Sequence, residues 1–300
     1  MAQWIGIRYT ENGVRILGLV QADDGFEITG IAAGSPGNNL KGFLEERGFS
    51  LEDSAIVCGL CPGDFISATI QREDSMDEDD VKSQLRWEIE RKMISDPNDY
   101  TLDFALSKIA GFVFAAKKSL IQQMTDTLEN VVIDVEPISL YNGCEISGAI
   151  GDGSIMLVSA EAEGISSVII DNGSLRALES IPIRDESLNF VLADKDQEIP
   201  ENEDTDTSDK LSGYIVESVK RLTSLGDDKS KATPESIALV GGGVYTGKLA
   251  NKITEKTGIS TAIFNPFTDM IKDVESNQPE LADMSAAFAT CFGLAVRAID

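Results

Sequence analysis

Apolar residues near the start of the chain form three stretches of alternating or continuous hydrophobicity, separated by turn residues. They cover residues 4–9, 14–20 and 25–33, and Asn12-Gly13 between the first two is typical of a two-residue hairpin. The pattern predicts an antiparallel three-stranded meander. A similar pattern returns at residues 154–183, about 150 residues later, and so predicts two similar halves, residues 1–150 and 151–300.

Strands and helices alternate between these two meanders, which indicates α/β packing. The stretch "SMDEDDVKSQLRWEIERKMI" has a capping-box pair, Ser75 and Glu78, so we expect a helix with one buried face. Its apolar stripe consists of Val81, Leu85, Ile89 and Met93. Two strands, a helix and a closing strand, "VVIDVEP", follow.

The second half contains an acidic segment and ends in a long apolar segment. Residues 194–209 contain eight acidic residues and one lysine, so we expect a solvated, flexible loop without chemistry. A helix, a buried strand, a glycine-rich turn, a helix and a short strand come next. Residues 280–300 are apolar on most sides, which predicts a buried helix.

Composition excludes several classes of function. The formal charge of −26 opposes binding to nucleic acid phosphates and to anionic lipid. The absence of histidine excludes Ser-His-Asp and Cys-His catalysis. No apolar run reaches the ~20 residues that span a bilayer, so we expect a cytoplasmic protein that does not insert into the membrane.

The sequence "GGVYTGK" at residues 242–248 has the spacing of a phosphate loop between a strand and a helix. Leu249, however, stands where a hydroxyl side chain would bind magnesium. Two interpretations of Gly241, Gly242 and Gly243 therefore stay open. Either these glycines let the backbone approach a ligand closely, or they form a tight turn that holds nothing.

Two weaker motifs are interpreted as structural. "CGLC", from Cys58 to Cys61, resembles a thiol-redox motif, but a turn and a strand follow it instead of the helix that activates such a cysteine. A thiol oxidoreductase is thus a distant alternative. "DPNDYTLD" at residues 96–103 lacks the glycine and the final glutamate of a calcium loop, so we expect a turn and no metal site.

Four stretches together resemble the PilM family of type IV pilus assembly proteins, actin-like relatives of the cell-division protein FtsA. They are "LRWEIERKM" at 85–93, residues 111–140, "ALVGGGVYTGKLANKITEKTGISTAIFNPF" at 238–267, and "ATCFGLAVRAI" at 289–299. The resemblance implies an actin-like ATPase fold, with two ribonuclease-H-like halves around a cleft. It also implies an inserted α+β subdomain of the 1C type at residues 72–135, and packing of the C-terminal helix on the first half.

The resemblance further implies a partner and a place in the cell. PilM-like proteins bind the cytoplasmic tail of PilN, a single-span inner-membrane protein, in a groove that involves subdomains 1A and 1C. The chain is therefore expected to be an adaptor of a pilus, or a related secretion machine, peripheral to the inner membrane and in contact with other assembly components. An active, filament-forming ATPase is the nearest alternative.

Relatives that bind ATP use two hairpins, each beginning near Asp-x-Gly. Here Arg8-Tyr9-Thr10 and Ser159-Ala160-Glu161 stand at those positions, so both metal-orienting acids are missing. By resemblance, only the turn at residues 241–243 keeps its contact with adenosine. We therefore expect a pseudo-ATPase without catalytic residues, in which any binding of ATP and magnesium is weak.

Candidate partner-binding residues lie on the helix that carries the apolar stripe. Trp87 falls beside that stripe, and it either packs under the strands of the insert or anchors a bound peptide. Arg86 and Lys82 lie on the polar side of the same helix, where solvated or salt-bridged roles are expected.

Overall fold

A computed structural model describes most of the chain, in eleven ranges. These are residues 3–10, 13–22, 25–52, 54–73, 75–128, 130–148, 151–183, 205–224, 233–245, 248–266 and 285–298.

The first half is built on a five-stranded sheet. Its strands are β1 (Trp4–Thr10), β2 (Gly13–Ala22), β3 (Gly25–Gly34), β4 (Ala55–Leu60) and β8 (Val131–Val135), in the spatial order β3-β2-β1-β4-β8. The first three strands form the predicted antiparallel meander, and β4 and β8 run parallel to β1. Helix α1 (Leu40–Glu46) connects β3 to β4, and the Asn39 side chain caps its first turn.

The second half repeats this sheet. Its strands are β9 (Ser154–Ala160), β10 (Gly164–Asp171), β11 (Ser174–Pro182), β12 (Ser236–Val240) and β13 (Ser260–Ile263), in the order β11-β10-β9-β12-β13. The meander is again antiparallel, and the last two strands are again parallel to its first strand. Helices α5 (Thr205–Ser224) and α6 (Leu249–Thr257) belong to this half. The two-half α/β architecture predicted from the sequence is confirmed.

Two helices join the halves. Helix α4 (Glu136–Ile146) follows β8 and contacts β9, β10 and β11, whereas α7 (Ala289–Arg297) packs on β1, β2, β4 and α4. The C-terminal helix thus packs on the first half, but it is shorter than residues 280–300. Residues 285–288 form a 3-10 turn before it, and 280–284 lie outside the described residues.

The inserted subdomain is a separate three-stranded sheet. Its strands are β5 (Phe65–Gln71), β6 (Tyr100–Leu106) and β7 (Ala110–Lys117), in the order β5-β7-β6. Alternate residues of β7 face opposite ways: Val113 and Ala115 pack on α2 (Glu78–Glu90), whereas Phe112 and Phe114 face the body of the protein. The short helix α3 (Lys118–Thr125) leads back to the first half.

The boundaries of this subdomain differ from residues 72–135. It begins earlier, at Phe65, because β5 pairs with β7 and not with the sheet of the first half. It ends earlier too, because β8 pairs with β4 and so completes the first sheet.

The last five residues of the predicted acidic loop, 205–209, are helical. Residues 205–209 form the first turn of α5, while 194–204 lie outside the described residues. Asp209 pairs with Lys252 of α6 at 2.9 Å, so part of the acidic stretch contributes to helix packing. Among helices within the described ranges, none has the length and hydropathy needed to cross a bilayer.

Candidate functional site

The first hairpin places two arginines opposite each other. Arg8 on β1 pairs in register with Arg15 on β2, so both side chains lie on the same face of the sheet. Both are buried: Arg8 is 0% exposed and Arg15 4%. Two buried cations at neighbouring positions are stable only if anions surround them, because charge out of water must be paired.

The second hairpin supplies two of these anions. Glu161 follows β9, and its backbone exchanges two hydrogen bonds with Gly164, at 3.0 and 3.2 Å, to close a tight turn. The Glu161 Oε1 atom accepts a hydrogen bond from Arg15 Nη1 at 2.5 Å. Glu163, in the same turn, accepts one from Arg8 Nη2 at 3.2 Å.

A third carboxylate comes from α4. Glu136 is the first residue of that helix and is 1% exposed. Its Oε1 atom accepts hydrogen bonds from Ser159 Oγ at 2.5 Å and from Thr290 Oγ1 at 3.4 Å, and Oε2 lies 3.5 Å from Arg8 Nη2. We call this group the cleft cluster; its members are Arg8, Arg15, Glu136, Glu161 and Glu163.

The glycine turn closes onto the cleft cluster. Gly241 has φ +95°, and its N–H donates to Ala286 O at 2.8 Å. A β carbon at Gly242 would lie 2.7 Å from Arg15 Nη2, and one at Gly241 would lie 2.6 Å from Ala160 O. The glycines therefore do allow a close approach, but it is made by residues of the protein's own two hairpins. Gly243 continues this turn in the 3-10 segment 242–245.

These residues do not fit magnesium triphosphate. Neither hairpin has an acid where the metal-orienting one would stand, and the guanidinium of Arg15 and the carboxylate of Glu161 lie against Gly242, at the turn expected to face adenosine. Each buried carboxylate directed at a phosphate costs about 1–4 kcal/mol at 4 Å, depending on the effective dielectric. Thr10, the remaining hairpin candidate, pairs in register with Gly13 and is half-buried.

Burial of Glu136 makes stability depend on pH. Burial raises the pKa of Glu136 above its ordinary value, and Arg8, which lowers it, is opposed by Glu161 and Glu163. Between about pH 4.3, where the unfolded chain releases its proton, and the raised native pKa, the folded state still holds that proton, so the contribution of Glu136 to stability falls as the pH rises through this interval. Burial likewise raises the pKa of Asp64 and Asp134, which act in the same direction.

We therefore expect the contribution of Glu136 to the free energy of unfolding to fall as the pH rises from about 4 to about 8, by about 1.4 kcal/mol for each unit by which burial raises the Glu136 pKa. The Glu136→Gln variant should lose less stability over the same interval, since glutamine does not titrate. Urea unfolding at the two pH values measures the difference. An identical pH dependence in the variant would contradict a raised pKa of Glu136.

The cysteine motif does not form a reactive site. Cys58 lies on β4 and Cys61 just after it, and both are buried. Burial raises the pKa of Cys58 to about 12, and it also raises that of Cys61, whose thiol donates to Tyr9 O at 3.1 Å. A thiolate, the nucleophilic form, is therefore disfavoured at both positions. The interpretation of Cys58 and Cys61 as buried structural residues agrees with their burial and with the hydrogen bond to Tyr9.

The partner-binding candidates lie on the outer face of the inserted subdomain. The prediction that Trp87 packs under the strands is wrong, because it is 57% exposed and stacks with Arg91, whose Cζ lies 4.5 Å from the ring centroid. Arg86 covers the ring of Phe104 at 5.5 Å, and Lys82 pairs with Glu78 at 3.7 Å. These side chains project from α2, on the opposite side of the small sheet from the body of the protein.

A cleft lies on the inner side of that sheet. Its volume is about 420 Å³, and it lies between the β6–β7 turn, helix α4 and the β10–β11 turn. Phe112, Ile138 and Leu175 provide apolar lining, and Ser107, Asn142 and Asn172 provide polar groups. The cleft is thus lined by the insert and by both halves.

Comparison with known proteins agrees with this architecture. Residues 193–299 match the sequence model of the family described as "Type IV pilus assembly protein PilM". The solved structure of a PilM-PilN type IV pilus biogenesis complex matches with TM-score 0.71 and 17% identity, covering 99% of this chain and 98% of that one. The fold is PilM-like and actin-like. The actin-like ATPase fold implied by the resemblance is confirmed.

A second solved structure supports the fold. It is a protein from Bacteroides thetaiotaomicron with an actin-like ATPase fold and unknown function, with TM-score 0.54 and 12% identity. The match covers 93% of this chain and 94% of the other. No curated protein matches the sequence.

Proposed function

We propose that the chain is an adaptor of a type IV pilus or related secretion machine, and that it binds the cytoplasmic tail of a PilN-like inner-membrane protein. The observation that supports this most directly is the match of 99% of the chain to a PilM-PilN complex. Tail binding would hold this acidic protein at the inner membrane, next to other assembly components.

The tail is proposed to bind in the cleft between the inserted subdomain, α4 and the β10–β11 turn. An extended peptide needs polar partners along its length and apolar contacts for its side chains, and the lining of this cleft includes both kinds of residue. Trp87 is the alternative anchor, since an exposed tryptophan next to arginine is typical of binding hot spots.

Fluorescence anisotropy with a labelled tail peptide of the PilN-like protein from the same organism distinguishes these two surfaces. Asn142→Arg places a long cation in the cleft, and we expect it to weaken binding by about tenfold or more. Trp87→Ala should change affinity by less than about twofold. The reverse pattern would move the binding surface to α2, and failure of the wild-type chain to bind would contradict the partner assignment.

The adaptor is proposed to act without hydrolysing ATP. Phosphoryl transfer needs placed cations and a positioned water, and neither hairpin carries the acid that would orient the metal. We expect the purified chain with ATP and Mg²⁺ to release phosphate no faster than a blank and to remain in the supernatant on sedimentation. Turnover with pelleting would instead support the filament-forming ATPase.

A further inference from the structure

We propose that the cleft cluster is an interdomain clasp that occupies the place of the nucleotide and holds the two halves together without it. Its contacts cross from one half to the other. Arg15 of the first half pairs with Glu161 of the second at 2.5 Å, and Arg8 reaches Glu163 at 3.2 Å. In the opposite direction, Ser159 of the second half donates to Glu136 at the start of α4.

Burial makes these contacts costly to break. Arg8, Glu136 and Glu161 are each at most 1% exposed, so water cannot replace a lost partner. Removal of one member of a buried ion pair leaves the other charge uncompensated, which is far more unfavourable than loss of a surface pair. The clasp therefore acts as one unit, in which each side chain depends on the others.

The C-terminal segment closes the same site. Ala287 O accepts a hydrogen bond from Arg15 Nη1 at 3.1 Å, and Ala286 O accepts one from the Gly241 N–H. The arginine thus contacts both the second hairpin and the segment that leads into α7. A nucleotide would have to separate Arg15 from Glu161 before its phosphates reached either hairpin.

The clasp also affects the shape of the cleft in which the tail peptide is proposed to bind. This consequence rests on the proposed function. Glu136 begins the helix whose later residues, Ile138 and Asn142, line the cleft, and the β10–β11 turn of the second half forms another wall. A fixed angle between the halves keeps that cleft in one shape. We therefore infer that its shape is set by side chains instead of by a bound nucleotide.

Hydrogen–deuterium exchange of the full chain, without peptide, tests the clasp. We expect Glu161→Gln and Arg15→Met each to speed exchange of the Glu161 and Gly164 amides by about tenfold or more. The double variant should exchange no faster than either single one, because the second change removes a charge that has already lost its partner. Amides between β5 and β7, remote from the clasp, should stay within about twofold of wild type.

Effects that multiply in the double variant would overturn the clasp, since they would show that the two side chains act independently. The proposal would also be overturned if both single variants exchanged these amides at the wild-type rate. If Arg15→Met does not fold, Ser159→Ala replaces it in this experiment, because it removes one hydrogen bond that crosses between the halves. The nearly isosteric Glu161→Gln variant is kept.

Addition of nucleotide to the wild-type chain gives the second readout. With about 1 mM ATP and Mg²⁺, we expect the melting temperature to shift by less than about 1 °C and the exchange pattern to stay unchanged. A rise in melting temperature of several degrees, with slower amide exchange in both hairpins, would overturn the proposal that the clasp occupies the place of the nucleotide. Failure of the wild-type chain to bind the tail peptide would contradict only the proposed function, because neither readout uses that peptide.

Discussion

Gly293→Ala is expected to abolish folding or to lower the free energy of unfolding by more than about 3 kcal/mol, because the site has no room for one more carbon. Gly293 lies in α7, where the helix crosses α4, and a β carbon there would overlap the backbone carbonyl of Ser139. Backbone atoms of a buried helix cannot move aside as a flexible side chain can. Urea unfolding followed by circular dichroism measures the loss.

Gly213→Ala is the matched control. Gly213 also lies inside a helix, α5, but nothing stands within 4 Å of the position its β carbon would take. Alanine there should stabilise the protein by up to about 1 kcal/mol through helix propensity. Equal stability of the two variants would contradict the close packing of α7 on α4.

Much of the fold follows from local patterns in the sequence. The meander of β1, β2 and β3 and its repeat were predictable because strand alternation and turn residues are short-range signals. Three residues of the predicted stripe, Val81, Leu85 and Ile89, are fully buried, whereas the fourth, Met93, lies beyond the end of the helix and is only partly buried. The cap of that helix is Asp77, two residues beyond the predicted Ser75, and its side chain accepts from Asp80 N at 2.9 Å.

Helix α4 was missed, and the reason is physical. It packs between both halves, so Pro137, Ser139, Leu140, Gly143 and Cys144 are all buried and no amphipathic pattern marks it. The Glu136-Pro137 pair directly after a strand is the one local signal that indicates a helix start. The boundaries of the inserted subdomain were missed for a related reason, because the pairing of β5 with β7 is long-range.

The candidate site was predicted in part. The two hairpins follow from the strand pattern and its repeat, and the resemblance to ATP-binding relatives singled out Arg8, Ser159 and Glu161 in them. Arg15, Glu136 and Glu163 were not identified, because nothing local distinguishes a buried charged residue from a solvated one. A physical hint did exist: an arginine inside the apolar strand "VRILGLV" needs an anion nearby, although the sequence does not say which.

Arg8→Met is expected to lower the free energy of unfolding by about 3–5 kcal/mol, the cost of leaving buried charge without its partner. Arg8 is fully buried and lies within 4.0 Å of carboxylate oxygens of Glu136, Glu161 and Glu163. Methionine fills much of the same space, so the change removes the charge with little cavity. Urea unfolding at neutral pH measures the effect, and Arg91→Met, at an arginine that is 63% exposed, is the control, with an expected change below about 0.5 kcal/mol.

A second substitution separates charge from packing in this result. If uncompensated carboxylates cause the loss, Arg8→Met combined with Glu136→Gln should be more stable than Arg8→Met alone, because the buried site then holds one anion fewer. If the loss came from packing, Glu136→Gln would restore nothing and would add its own cost. Recovery in the double variant would therefore show that the buried arginine neutralises the carboxylates around it, whereas a further loss would contradict that role.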